Sequence, residues 1–152
     1  MTSELRRIVV GVDGSENAQR ALGWALLLAR QFDAELVAVH AVGLLAHLGE
    51  GPPVPSHSHL EELRRAFESE WCALLQTSTV ARRLRLEDGP PVPVLLATAE
   101  EEAADLIVVG SRGVGGFPEL LLGSTSHHVA ERASQPVLIV PPERPGGAIS
   151  PS

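Results

Sequence analysis

Five short runs rich in branched aliphatic residues punctuate this chain, and segments with helical periodicity separate them. That alternation constrains the fold more than any other feature. Arg6 to Val12 (RRIVVGV) is a strand buried on both faces and stopped by Asp13-Gly14-Ser15. From Glu16 to Gln31, Ala18, Ala21, Leu22, Ala25, Leu28 and Ala29 recur at helical spacing. Glu35 to Val42 is a second apolar strand. Residues 43 to 58, rich in Gly, Pro and His, read as a loop with one helical turn at Leu44 to Leu48. A helix is expected over His59 to Gln76, with Leu60, Leu63, Phe67 and Leu74 on one face. Val80 to Glu87 alternates, placing Val80, Arg82, Leu84 and Leu86 against Arg83, Arg85 and Glu87, the pattern of an edge strand with one wet face. Gly89-Pro90-Pro91 turns into a helix that ends near Ala104, with Pro93 confined to its first turn. Asp105 to Gly110 is the most apolar strand, a helix is expected over Leu122 to Ala133, and Pro136 to Val140 forms the last strand. Residues 143 to 152 carry no apolar pattern and are expected to be disordered, leaving one domain over residues 1–142.

Strands and helices in strict alternation give an α/β fold, a parallel open sheet with helices on both faces. Crossovers are right-handed, so the winding must reverse to cover both faces, and ligands bind at the carboxyl ends of the strands flanking that reversal. With Val80–Glu87 at one edge, the first and fourth strands are central neighbours. Asp13 and Gly110-Ser111-Arg112-Gly113 then meet at one crevice.

Composition narrows the function by exclusion. A formal charge of −7 argues against sequence-independent binding to nucleic acid or to anionic membranes. All basic residues are arginine, so a P-loop lysine, a Schiff-base lysine and the lysine of a phosphoacceptor domain are ruled out. Cys72 stands alone, which excludes an intrachain disulfide and suits a small buried hydrophobe. The apolar part of MTSELRRIVV is too short for a signal peptide, no run is long enough to span a bilayer, and a cytoplasmic location is expected. Glu100-Glu101-Glu102 reads as a solvated helix face. Trp24, on the stripe of Asn17, Arg20 and Gln31, is expected to be partly exposed. His57 and His59 have no cysteine or carboxylate cluster beside them. Adjacent helical His127 and His128 point about 100° apart and cannot share an ion, so no metal ligands are assigned.

The stretch GSRGVGGFPELLLGST, residues 110 to 125, is the richest in chemistry. It fits neither a Walker A loop nor GxGxxG, whose third glycine would fall on Pro118. Its glycines permit positive φ, so that successive N–H groups can line one concavity. Gly123-Ser124-Thr125 stands where a helix begins, with unbonded N–H donors and the positive end of the helix dipole. Arg112 adds a guanidinium. Asp13 reads both as a turn residue that starts the first helix, with Glu16 completing a capping box, and as a ligand contact.

The spacing Gly110-x2-Gly113-x9-Gly123-Ser124, with Asp13 after the first strand, resembles the ATP-binding branch of the universal stress protein family. The resemblance runs from RRIVVGVDGSENAQRAL to GSTSHHVAERASQPVLIVP, and covers the 43–58 loop and the tail least. It implies a Rossmann-like, adenine nucleotide alpha hydrolase-like sheet of five parallel strands in order 3-2-1-4-5. It further implies that ATP, with Mg2+, lies across the ends of the first, second and fourth strands. Asp13 would sit by the ribose and the metal-phosphate end, and Ala41 would meet adenine with its backbone. Gly110, Ser111, Arg112 and Gly113 would lie along ribose and phosphate, with Gly123, Ser124 and Thr125 on the phosphates. Gly115-Gly116 and Thr125 depart from the family's commonest residues without removing a donor. A homodimer through Val137–Val140 is expected, since an apolar edge strand invites pairing and the family commonly pairs there. These features point to a nucleotide-dependent regulatory module acting on an unidentified downstream protein. The alternatives are a slow ATP hydrolase and a nucleotide-free interaction domain, and no catalytic residue is assigned.

Overall fold

The computed structural model describes residues 4–43, 57–112 and 122–143. Strands β1 (Arg7–Gly11), β2 (Glu35–Ala41), β3 (Arg82–Glu87), β4 (Leu106–Gly110) and β5 (Val137–Val140) form one sheet in the order β3-β2-β1-β4-β5. All pairings are parallel. The expected α/β architecture and strand order are those observed, and the winding reverses between β1 and β4. The helical turn expected at Leu44 to Leu48 and the tail after Glu143 lie outside the described residues.

Side-chain alternation sorts the core into two layers. Ile8, Val10, Leu36, Ala38 and Val108 face α1 (Glu16–Phe32) and the segment containing α2 (His57–Ala66) and α3 (Ala73–Gln76). Val9, Val37, Val39, Ile107 and Val109 face α4 (Pro91–Glu101) and α5 (Ser124–Arg132). Such strands are apolar at every position because neither face meets water.

The expected single helix over His59 to Gln76 is interrupted. A π-turn at Phe67–Trp71 separates α2 from α3. The extra residue advances the helical phase by about 100°. Leu75 is therefore buried at 1 % exposure, whereas Leu74, expected on the inner face, is 45 % exposed. Cys72 follows the π-turn and is buried, and burial pushes its thiol up to about 12.

The acidic end of α4 also departs from expectation. Glu102 is 7 % exposed, not solvated. It pairs with Arg83 and, at 3.1 Å, with Arg85, while Arg85 also reaches Glu101 at 2.6 Å and Glu87 at 2.8 Å. Arg83 continues the network to Glu35 at 2.7 Å, and Glu35 reaches Arg7 at 3.2 Å. The side of β3 expected to be wet keeps Arg83 half exposed and carries an ion-pair network that ties this sheet edge to the end of α4. The hydrogen bond from Arg83 holds the Glu35 carboxyl below its ordinary value.

Candidate functional site

The turn after β1 is built by Asp13. Its Oδ1 accepts the Ser15 N–H at 2.9 Å and the Ser15 hydroxyl at 2.6 Å. Ser15 Oγ in turn accepts the Ala18 N–H at 3.1 Å, so Ser15 caps α1. The capping box expected from Asp13 and Glu16 is replaced by this relay, because the cap position is Ser15, two residues after Asp13. Gly14 between them has φ +84°, and a Cβ there would lie 2.7 Å from the Trp71 ring. The Asp13 turn is therefore packed beneath an indole that the π-turn delivers, and Gln19 Nε2 holds the Trp71 carbonyl at 2.7 Å.

The end of β2 offers a backbone edge. In parallel pairing, alternate residues of β2 point their N–H and C=O groups toward β1. Val39 does so and accepts the Val12 N–H at 2.9 Å. Ala41 is the next residue with that orientation, and the ladder would give its N–H to Val12 O. Instead the His40 imidazole takes that carbonyl, with Nδ1 at 2.7 Å. The carbonyl accepts, so Nδ1 carries the proton and Nε2 is the acceptor of the neutral ring. Neither Ala41 backbone group has a partner among the described residues. One donor and one acceptor thus stand side by side at the sheet's carboxyl edge. His40 packs edge-on against Trp71 with ring centres 4.9 Å apart.

At the end of β4, Ser111 ties both sides of the glycine-rich stretch together. Its carbonyl accepts the Gly123 N–H at 2.5 Å and the buried Ser126 hydroxyl at 2.9 Å. The Gly123 N–H, expected to face a ligand, is consumed by this closure. The donors that remain are the N–H groups of Ser124, Thr125 and Ser126, which have no partner among the described residues. They form the first turn of a nine-residue helix whose cap, Gly123, offers no side chain. An anion is the natural complement of three convergent amides at a positive dipole end. His127 and His128 are engaged separately along α5, with Glu131 at 3.1 Å and with the Ser124 carbonyl at 2.8 Å.

Gly110 has a packing role that the sequence reading assigned to ligand approach. A Cβ there would lie 3.0 Å from Asn17 Cγ and 3.1 Å from the Asn17 backbone. Asn17 itself, placed by helical periodicity on the stripe of partly exposed Trp24, is buried, while Trp24 is exposed as expected. Its Oδ1 accepts the Arg112 N–H at 2.8 Å. Asp13, Ala41, Gly110, Ser111, Arg112, Gly123, Ser124 and Thr125 accordingly lie at the carboxyl ends of β1, β2 and β4 or at the adjoining start of α5. Gly113 lies outside the described residues. His40, Asn17, Trp71 and Ser126 are not marked by the sequence as site residues; the bonds His40–Val12 and Ser126–Ser111 and the contacts Gly14–Trp71 and Gly110–Asn17, invisible in one dimension, single them out.

The model of the universal stress protein family matches residues 4–141. The chain belongs to the universal stress protein family. Universal stress protein YxiE of Bacillus subtilis is 34 % identical over 145 residues, covering 88 % of this chain and 97 % of its own. A member of the family from Burkholderia pseudomallei, 30 % identical, has a solved structure that superposes with a TM-score of 0.70 over 93 % of this chain and 99 % of that one. A universal stress protein solved in complex with cAMP is also 30 % identical, with a TM-score of 0.66 over 91 % of this chain and 98 % of that one. Among the described residues, no helix of this universal stress protein is long and apolar enough to cross a membrane.

Proposed function

We propose that this universal stress protein is an ATP-binding regulatory module of the stress response. The observation that carries the reading is the amide triad of Ser124, Thr125 and Ser126, without partners among the described residues and held beside Ser111 at the end of β4. Its complement is a phosphate chain. The unpaired N–H and C=O of Ala41 match the hydrogen-bonding edge of adenine, which presents an acceptor and a donor side by side. The solved relative in complex with cAMP supports an adenine nucleotide as the ligand class.

In this reading Asp13 supplies the carboxylate at the phosphate end, and Arg112 and Gly110 line the stretch between ribose and phosphate. Mg2+, in the same reading, arrives bound to the phosphates of the nucleotide. Binding phosphate at the start of α5 would change the surface around it, and that surface would be read by a downstream protein.

Titration calorimetry of Mg-ATP into nucleotide-stripped protein tests this, with Gly123→Val as the control. Gly123 has φ −74°, which valine tolerates, and a side chain there would crowd the phosphate position; circular dichroism of the variant checks its fold. Saturable binding by the wild type, weakened at least about tenfold in the variant, supports the reading, a loss of about 1.4 kcal/mol. No binding by folded wild-type protein overturns it. The half-buried edge strand Val137–Val140 is proposed to pair with a second copy of the chain, and concentration-independent sedimentation as a monomer would sink that assembly.

A further inference from the structure

Asn17 sits in the first turn of α1, yet its side chain bonds only to groups outside that helix. At 8 % exposure it is shielded from water. Its Nδ2 donates to Val140 O at 2.8 Å, the last carbonyl of β5. Its Oδ1 accepts the Arg112 N–H at 2.8 Å and the Ser111 hydroxyl at 3.3 Å. The Ser111 N–H also donates to Val140 O, at 2.8 Å. One amide therefore closes a ring of hydrogen bonds joining the end of β4, the end of β5 and the start of α1. Gly110 lies against the same amide, and a Cβ there would come within 3.0 Å of Asn17 Cγ.

Ser111 belongs to a second ring as well. Its carbonyl holds the Gly123 N–H and the Ser126 hydroxyl, and these flank the amides of Ser124 and Thr125. A displacement at the start of α5 must move Ser111, and Ser111 cannot move without disturbing its bonds to Asn17 and Val140. Fully bonded buried polar rings of this kind are rigid, because a half-bonded amide is costly, so a shift at one member is passed to the others.

We propose that Asn17 is a positioning residue that fixes the carboxyl end of β4 for phosphate binding and couples phosphate occupancy to the end of edge strand β5. The proposal rests on the nucleotide reading above. It assigns Asn17 to the phosphate half of the site and not to the base half, since its bonds reach Arg112, Ser111 and Val140 and none reaches Ala41 or His40.

The test compares ATP with adenosine. In Asn17→Ala, affinity for Mg-ATP is expected to fall about tenfold or more, the loss of one buried charge-adjacent hydrogen-bond set, while adenosine affinity changes less than about twofold. Equal losses for the two ligands would overturn the proposal, because a general loosening of the domain does not distinguish phosphate from base. Should Asn17→Ala fail to fold, the wild type serves. NMR resonances of the Asn17 side-chain amide and of Val140 are expected to shift on ATP and to stay in place on adenosine. Resonances unmoved by saturating ATP would overturn the coupling. Wild-type protein that binds neither ligand would overturn both this proposal and the reading beneath it. ATP binding without the ATP-over-adenosine effect would remove this proposal alone.

Discussion

Burial holds the His40 imidazole below its ordinary value of 6.5, while the bond to the Val12 carbonyl and the nearby Asp13 carboxylate pull the other way. The folded protein therefore takes up this proton less readily than the unfolded chain. The stability due to neutral His40 is complete above about pH 6.5 and is lost as pH falls from there toward the lower folded-state value, then levels off. Glu35, held low by Arg83, contributes stability that is present above 4.5 and is lost only at more acid pH, so the two windows are separate. Denaturant titrations of the wild type and His40→Gln across this range should show a shallower acid loss in the variant just below about pH 6.5. Parallel curves would contradict it. The site was legible at this scale where chemistry repeats in sequence: Asp13, Ser111 and the Gly123-Ser124-Thr125 cluster announced themselves. His40 and Asn17 did not, because each acts through a backbone group of a distant strand. Gly110, expected to allow close approach of a ligand, also has a neighbour that requires it to be small, Asn17.

Element ends carry the strain of this fold. Helix α4 stops because Ala103 turns to φ +50°, a left-handed conformation that lets the Ala104 N–H reach Ala99 O at 2.9 Å. A Cβ in that region is disfavoured, and Ala103 is exposed, so removing it sacrifices no packing. Ala103→Gly should stabilise the protein by roughly 0.5–1 kcal/mol, less than the full conformational cost because glycine also frees the unfolded chain. Thermal unfolding would show a rise of roughly 2 °C, and a fall would contradict the argument. Strand and helix order were readable from apolar periodicity, since strands buried on both faces and a capped amphipathic helix leave strong patterns. The π-turn was not. Leu74 and Leu75 are both leucine, so no apolar pattern reveals which one faces inward after a one-residue slip. The triplet ending in Glu102 misled for a related reason: its partners, Arg83 and Arg85, lie on another element, and charge alone reads as solvent exposure.

The molecule as a whole opposes the ligand proposed for its site. With a formal charge of −7, its long-range field repels an anion such as Mg-ATP. The attraction at the site is local by comparison. A helix N-terminus amounts to about half a unit charge and acts within its first turn. Salt screens the two differently. The Debye length is roughly 30 Å at 0.01 M and 8 Å at 0.15 M, so moderate salt removes the distant repulsion first, while contacts at hydrogen-bond distance are screened least. The association rate constant of Mg-ATP should therefore rise, by about twofold or more, as ionic strength increases over this range, the reverse of electrostatically steered binding. The dissociation rate constant should rise more gently, because only the contacts at the site resist escape. Stopped-flow mixing with a fluorescent ATP analogue separates the two rate constants. An association rate that falls with salt would mean that the local field of α5 and Arg112 extends beyond the acidic surface. The site would then draw its ligand in from solution instead of waiting behind a repulsive barrier.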